Sequence, residues 1–185
     1  MCIQEGELIF DFPADWEVSQ YDAWSFYRNR FKDSCTGCKA IDFVAILSRN
    51  RRELWLVEVK DYRRHPRTKA IDLPEEIALK VRDSLAGIVA ASFQADDSNE
   101  RSHANRALQN KKVRVAVHLE QPKKHSRLFP RSIDPSKVLQ KLKVLIKPID
   151  PHPLVVERSN CQFRAGWVVH TVGTGQGRSL DGSTE

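Results

Sequence analysis

Two apolar runs divided by a short polar stretch dominate the middle of the chain. Residues 40–47 and 54–60 are apolar at almost every position, the pattern of strands covered on both faces. Residues 48–53 between them are polar and few enough for a hairpin. Further on, Val113, Val115, Val117 and Leu119 alternate with Arg114, Ala116 and His118, which predicts another strand. Residues 8–12 read as a short strand ended by Pro13, and residues 154–157 and 167–172 as late edge strands. Helical spacing appears three times. Trp24, Tyr27 and Phe31 recur at three and four, predicting an amphipathic helix over residues 20–32. A longer helix starts at Asp72, with Glu75 placed for a capping box, and buries Ile77, Val81, Leu85 and Ile88. Asp134-Pro135 opens a third, whose apolar face is Val138, Leu139, Leu142, Leu145 and Ile146 and which Pro148 stops. Residues 95–112 are polar and read as peripheral, partly helical chain. Helices interleaved with paired strands imply a three-layer α/β domain. One domain is expected over residues 1–172, with its core at about 20–120 and a C-terminal extension over 121–172. Residues 173–185, rich in Gly, Ser and Thr, read as a disordered tail.

Charge adds a partner class. The 185 residues carry 30 Lys and Arg against 24 Asp and Glu, a net charge of +6. Basic residues cluster at Arg49, Arg51 and Arg52; at Arg63, Arg64, Arg67 and Lys69; at Lys111, Lys112 and Arg114; and at Lys123, Lys124 and Arg127. Such clusters suit a polyanion, because neutralising phosphates releases counterions, and equally suit solvated loops. No apolar run approaches the roughly 18 residues of a membrane span. The first residues lack a basic flank leading into an apolar stretch, so a cytoplasmic, membrane-free protein is expected. Of four cysteines, Cys35 and Cys38 form one CxxC. A structural zinc site wants four ligands, so both a metal role and two incidental thiols in a turn stay open.

The candidate chemistry lies in the hairpin. Side chains alternate along a strand, so Glu58 and Lys60 share a face that begins with Leu54 and Leu56. Asp42 is the sole charge in its own run. Antiparallel pairing would bring Asp42, Glu58 and Lys60 together at one edge of the sheet. Two carboxylates in apolar surroundings, with the Val59 carbonyl between the two side chains, suit Mg²⁺ or Mn²⁺. A buried ion pair with no bound metal would use the same residues.

Asp42, fifteen residues, then Glu58-Val59-Lys60 resembles the motif of the PD-(D/E)XK nuclease superfamily. That resemblance implies a restriction-endonuclease-like core, a central mixed β-sheet flanked by helices. It implies an Mg²⁺-dependent endonuclease acting on DNA, with Asp42 and Glu58 holding the metal and Lys60 as the catalytic lysine. Cutting both strands of a duplex would call for a homodimer. By the same resemblance Asp22 or Glu17 would be an auxiliary acid, Lys80 would contact phosphate and Arg63 would line the nucleic acid, to which the basic clusters add Arg64, Lys123 and Lys124. Two departures stand out. Ile41 replaces the motif's proline, and little chain is left before Asp42 for a first core strand, so residues 8–12 must supply it or it must be very short. The alternative is a catalytically silent nucleic-acid-binding or protein-interaction subunit of the same fold.

Overall fold

A computed structural model describes residues 1–48, 52–122 and 133–173. Five strands form the main sheet in the order β3 (Trp16–Gln20), β4 (Phe43–Leu47), β5 (Glu53–Asp61), β6 (Lys112–Glu120) and β7 (Leu154–Val156). The β3–β4 and β4–β5 pairs are antiparallel, whereas β5–β6 and β6–β7 are parallel. The parallel β5–β6 pair needs a crossover, and α1 (Leu73–Gln94) and α2 (Ser98–Leu108) provide it. Helix α3 (Pro135–Leu145) lies between β6 and β7. The main sheet is therefore mixed, as the resemblance implied.

Three helices cover one face. There Val44, Leu56 and Val117 pack with Ile77, Val81 and Ile88 of α1, Ala104 of α2 and Leu142 of α3. On the other face Phe43, Ala45, Val57 and Ala116 meet Leu8, Phe10 and Trp167. That cover is a second antiparallel sheet, β1 (Cys2–Glu5), β2 (Leu8–Asp11) and β8 (Val168–Thr171), together with the short α4 (Cys161–Ala165). The second flank is thus mainly sheet: the two ends of the described chain meet there, Phe10 opposite Val169.

The first strand of the main sheet is Trp16–Gln20, so residues 8–12 belong to the smaller sheet. The helix expected over residues 20–32 is a 3₁₀ turn at Tyr21–Ala23 and a π turn at Tyr27–Phe31, separated by Trp24 at ψ 135°, an extended conformation. The aromatic spacing reflects real burial of Tyr21, Trp24 and Tyr27. Residues 98–108 are a full helix whose His103, Ala104 and Ala107 are buried, so this stretch is part of the core. Helices α1 and α3 start at the expected caps: the Asp134 carboxylate accepts from Ser136 N–H, and the Asp72 carboxylate accepts from Leu73 N–H in place of the capping-box bond from Glu75 N–H.

Candidate functional site

The β4–β5 register pairs Phe43 with Val57 and so sets Asp42 beside Glu58 at one end of the hairpin. Two side chains of α1 fix the backbone leading to Asp42: Lys39 N–H donates to Asp83 Oδ2 at 2.9 Å and Ile41 N–H to Ser84 Oγ at 3.0 Å. Asp42 Oδ2 then accepts from Val59 N–H at 2.5 Å. Glu58 and Lys60 point to the helical face, where α1 presents Glu76 and Lys80 one turn apart. Glu58 Oε1 takes both ammonium groups, Lys60 and Lys80, at 2.5 Å each, and Lys80 also lies 3.8 Å from Asp42. A second carboxylate completes the cluster. Glu76 receives Arg67 and Lys69 at 2.6 Å each and has Lys60 at 3.7 Å. The result is one network of three acids and four bases, with both glutamates buried.

Burial and neighbouring charge set the proton affinities. Burial first, and then the charge of Glu58, push the Asp42 carboxyl up to about 8, against the pull of Lys80 and the Val59 N–H. Burial also opposes ionisation of Glu76, yet hydrogen bonds from Lys69 and Arg67 and the Lys60 charge hold that carboxyl down at about 2. Burial works against the Lys60 charge too, and the Glu58 carboxylate overrides it and raises its affinity for the proton. One consequence is measurable. The Asp42 value lies above its ordinary 3.8, so the folded state keeps a proton that the unfolded chain releases. In EDTA, stability should therefore fall as pH rises from about 4 to 8, and Asp42→Asn should flatten that slope. Urea titrations at three pH values check this; parallel slopes in wild type and variant would contradict it.

The structure brings Asp42, Glu58, Lys60 and Lys80 together. Asp22 stands at the edge: half-buried, its carboxyl is pushed up by burial and then by Glu58, against Arg28 and Lys80, and its Oδ1 is buried with no hydrogen-bond partner. Glu17 lies elsewhere, bound to His103 and Arg106 of α2. Arg63 and Arg64 pair with Asp61 and Glu7, tying the loop after β5 to the β1–β2 turn. Lys123 and Lys124 fall outside the described residues. The four cysteines are free, and among the described residues no group of three His, Cys, Asp or Glu side chains could hold a metal. Sequence reasoning missed Glu76, Arg67 and Lys69 as members of the site. Glu76 reads as an ordinary first-turn acid of a helix, and its position four residues before Lys80 was the available signal.

The chain is 33% identical over 168 residues to a cysteine–tRNA ligase of Neisseria meningitidis serogroup A, a match covering 75% of this chain and 24% of that protein. It thus spans about a quarter of the relative's length. No family profile and no solved structure matches it. This similarity overturns the resemblance to PD-(D/E)XK nucleases, and with it the Mg²⁺-dependent endonuclease cutting DNA. The physical reason is that an Asp, a Glu and a Lys at this spacing also build a buried ion-pair network. Here Glu58 is shared between two ammonium groups and Lys60 is held between two glutamates. No described helix is long and apolar enough to cross a membrane.

Proposed function

We propose that this chain is a tRNA-binding domain. The observation that carries the reading is the 33% identity to a cysteine–tRNA ligase across three quarters of the chain. The net charge of +6 supports it, since binding to tRNA releases counterions from its phosphates. The basic loop 63–69 is the part of the charged cluster most open to such a partner. The Arg64 and Lys69 side chains there are 72% and 61% exposed.

The same reading includes Mg²⁺ (or Mn²⁺) held by Asp42, Glu58 and the Val59 carbonyl. Glu58 Oε2 is buried without a hydrogen-bond partner, and a cation would offset the burial and, after it, the Glu58 charge that raise Asp42. Two carboxylates and a carbonyl suit Mg²⁺, which keeps several waters and would supply charge to tRNA phosphates through them.

The test is retention of labelled tRNA on filters. Arg64→Ala combined with Lys69→Ala should weaken binding about tenfold and lower the salt slope by about 2, one unit per lost phosphate contact. Asp42→Asn should remove the part of the affinity that depends on Mg²⁺. An unchanged affinity and slope in the double variant would refute this placing of the tRNA. Equal Mg²⁺ dependence in wild type and Asp42→Asn would refute the metal.

A further inference from the structure

One motif of the sequence lies outside the acid–base network. Cys35 and Cys38 stand in the turn between the π turn at Tyr27–Phe31 and strand β4, and both thiols are free. A structural zinc ion would want two more ligands. Among the described residues no third His, Cys, Asp or Glu completes such a site.

The backbone of this turn is strained. Cys35 and Thr36 have φ of 52° and 67°, and Gly37 follows at 102°. A residue with a side chain is costly to hold in the left-handed region, and two in succession persist only where their surroundings over-determine them. Hydrogen bonds at both ends of the turn do so. Gly37 N–H donates to the Ser34 carbonyl at 2.9 Å, and Cys38 N–H to the Lys32 carbonyl at 2.7 Å. Ser34 Oγ donates to the Phe31 carbonyl at 2.8 Å, and the Tyr27 hydroxyl to the Cys38 carbonyl at 3.1 Å.

This reversal carries the second thiol back toward the first. Cys38 Sγ lies 3.5 Å from the Ser34 carbonyl oxygen, which belongs to the peptide unit leading into Cys35. Cys35 is exposed and Cys38 half-buried, so a disulfide arriving from solvent meets Cys35 first. The turn is also the approach to Asp42. Lys39 and Ile41, between Cys38 and Asp42, are bound to Asp83 and Ser84 of α1.

We propose that Cys35 and Cys38 are a reversible dithiol–disulfide pair that locks the turn leading to Asp42. The oxidant is a small disulfide such as glutathione disulfide. The Cys35 thiolate attacks one of its sulfurs and the first glutathione leaves as a thiolate. The Cys38 thiolate then attacks the Cys35 sulfur of the mixed disulfide and releases the second. The protein gives up two electrons and two protons, and glutathione disulfide takes them to become two thiols. The native turn already holds its ends together, whereas the unfolded chain must close the same loop against its own entropy. The bridge therefore forms more readily in the folded chain. By linkage it stabilises the folded turn by the same factor. The pair does not depend on tRNA binding.

Equilibration of the full chain in glutathione buffers of graded thiol-to-disulfide ratio tests this, with and without denaturing urea. Free thiols are then alkylated and located by peptide mass spectrometry. The expected result is a Cys35–Cys38 bridge whose equilibrium constant is about tenfold larger in the native chain than in urea. Cys38→Ser, a substitution in an exposed turn, should instead carry glutathione on Cys35. An equilibrium constant equal or smaller in the native chain would overturn the proposal. So would glutathione adducts on Cys35 and Cys38 of the native wild type without a bridge between them.

Discussion

Replacing Glu76 with glutamine is expected to cost about 3 kcal/mol of stability at pH 7. The wild-type carboxylate is buried and engages Arg67, Lys69 and Lys60. Glutamine keeps the shape and removes the charge. Arg67 and Lys60, only 12% and 14% exposed, are then left without that counter-charge. Removing one member of a buried pair is far more damaging than the pair's net worth, because the remaining charge stays desolvated. For a chain of this size the loss corresponds to a Tm lower by roughly 6–12 °C. The pH dependence is the sharper check. The Glu76 carboxyl is held at about 2, below its ordinary 4.5, so its contribution is fully present above 4.5 and disappears as pH falls through 2. Wild type and Glu76→Gln should therefore converge in acid. A difference of the same size at pH 7 and at pH 2 would show that lost packing, not charge, is responsible.

The second large effect is steric. Gly87 sits inside α1, where alanine would ordinarily be favoured by about 1 kcal/mol. A Cβ there would lie 1.9 Å from the Tyr21 hydroxyl and 3.0 Å from the Phe31 ring. Tyr21 is fully buried, so its ring cannot swing into water. Overpacking wins, and Gly87→Ala is expected to destabilise by about 2–3 kcal/mol. The Tyr21 hydroxyl is itself buried with no hydrogen-bond partner. Tyr21→Phe alone should then be neutral or stabilising. In the Tyr21→Phe background, Gly87→Ala should lose most of its cost. A double-mutant cycle by urea denaturation reads the coupling, expected near 2 kcal/mol. Additive effects would mean that the two groups do not meet.

The residues that were easy to read are those where local pattern and tertiary role agree. The β4–β5 hairpin, β6, α1 and α3 each carry an uninterrupted apolar period and their own start signals, Asp72 and Asp134 for the helices. Asp42, Glu58 and Lys60 meet because hairpin pairing and strand alternation are local rules. Lys80 joins them from α1, and no residue pattern fixes how that helix docks on the sheet. Strands β2 and β8 of the smaller sheet were legible as strands, but their pairing was not, since it spans more than 150 residues of chain. Strand β3 was a different loss: Trp16 and Val18 do alternate with Glu17 and Ser19, but five residues beside a longer aromatic run give a weak signal. The functional misreading has a physical root as well. A carboxylate pair with a lysine is what a metal site and a buried ion network both require, and the spacing is the same for either. Only the partners on α1, Glu76 and Lys80, show that the lysines are already engaged.

Binding of tRNA is the function proposed for this chain. The most direct measurement is the affinity of the full chain for labelled tRNA across a salt series from roughly 50 to 200 mM. Binding is expected to be about micromolar at the low end, with a linear fall of log K with log salt, several phosphates' worth in slope. No retention of tRNA at the lowest salt, with protein shown to be folded, would contradict it.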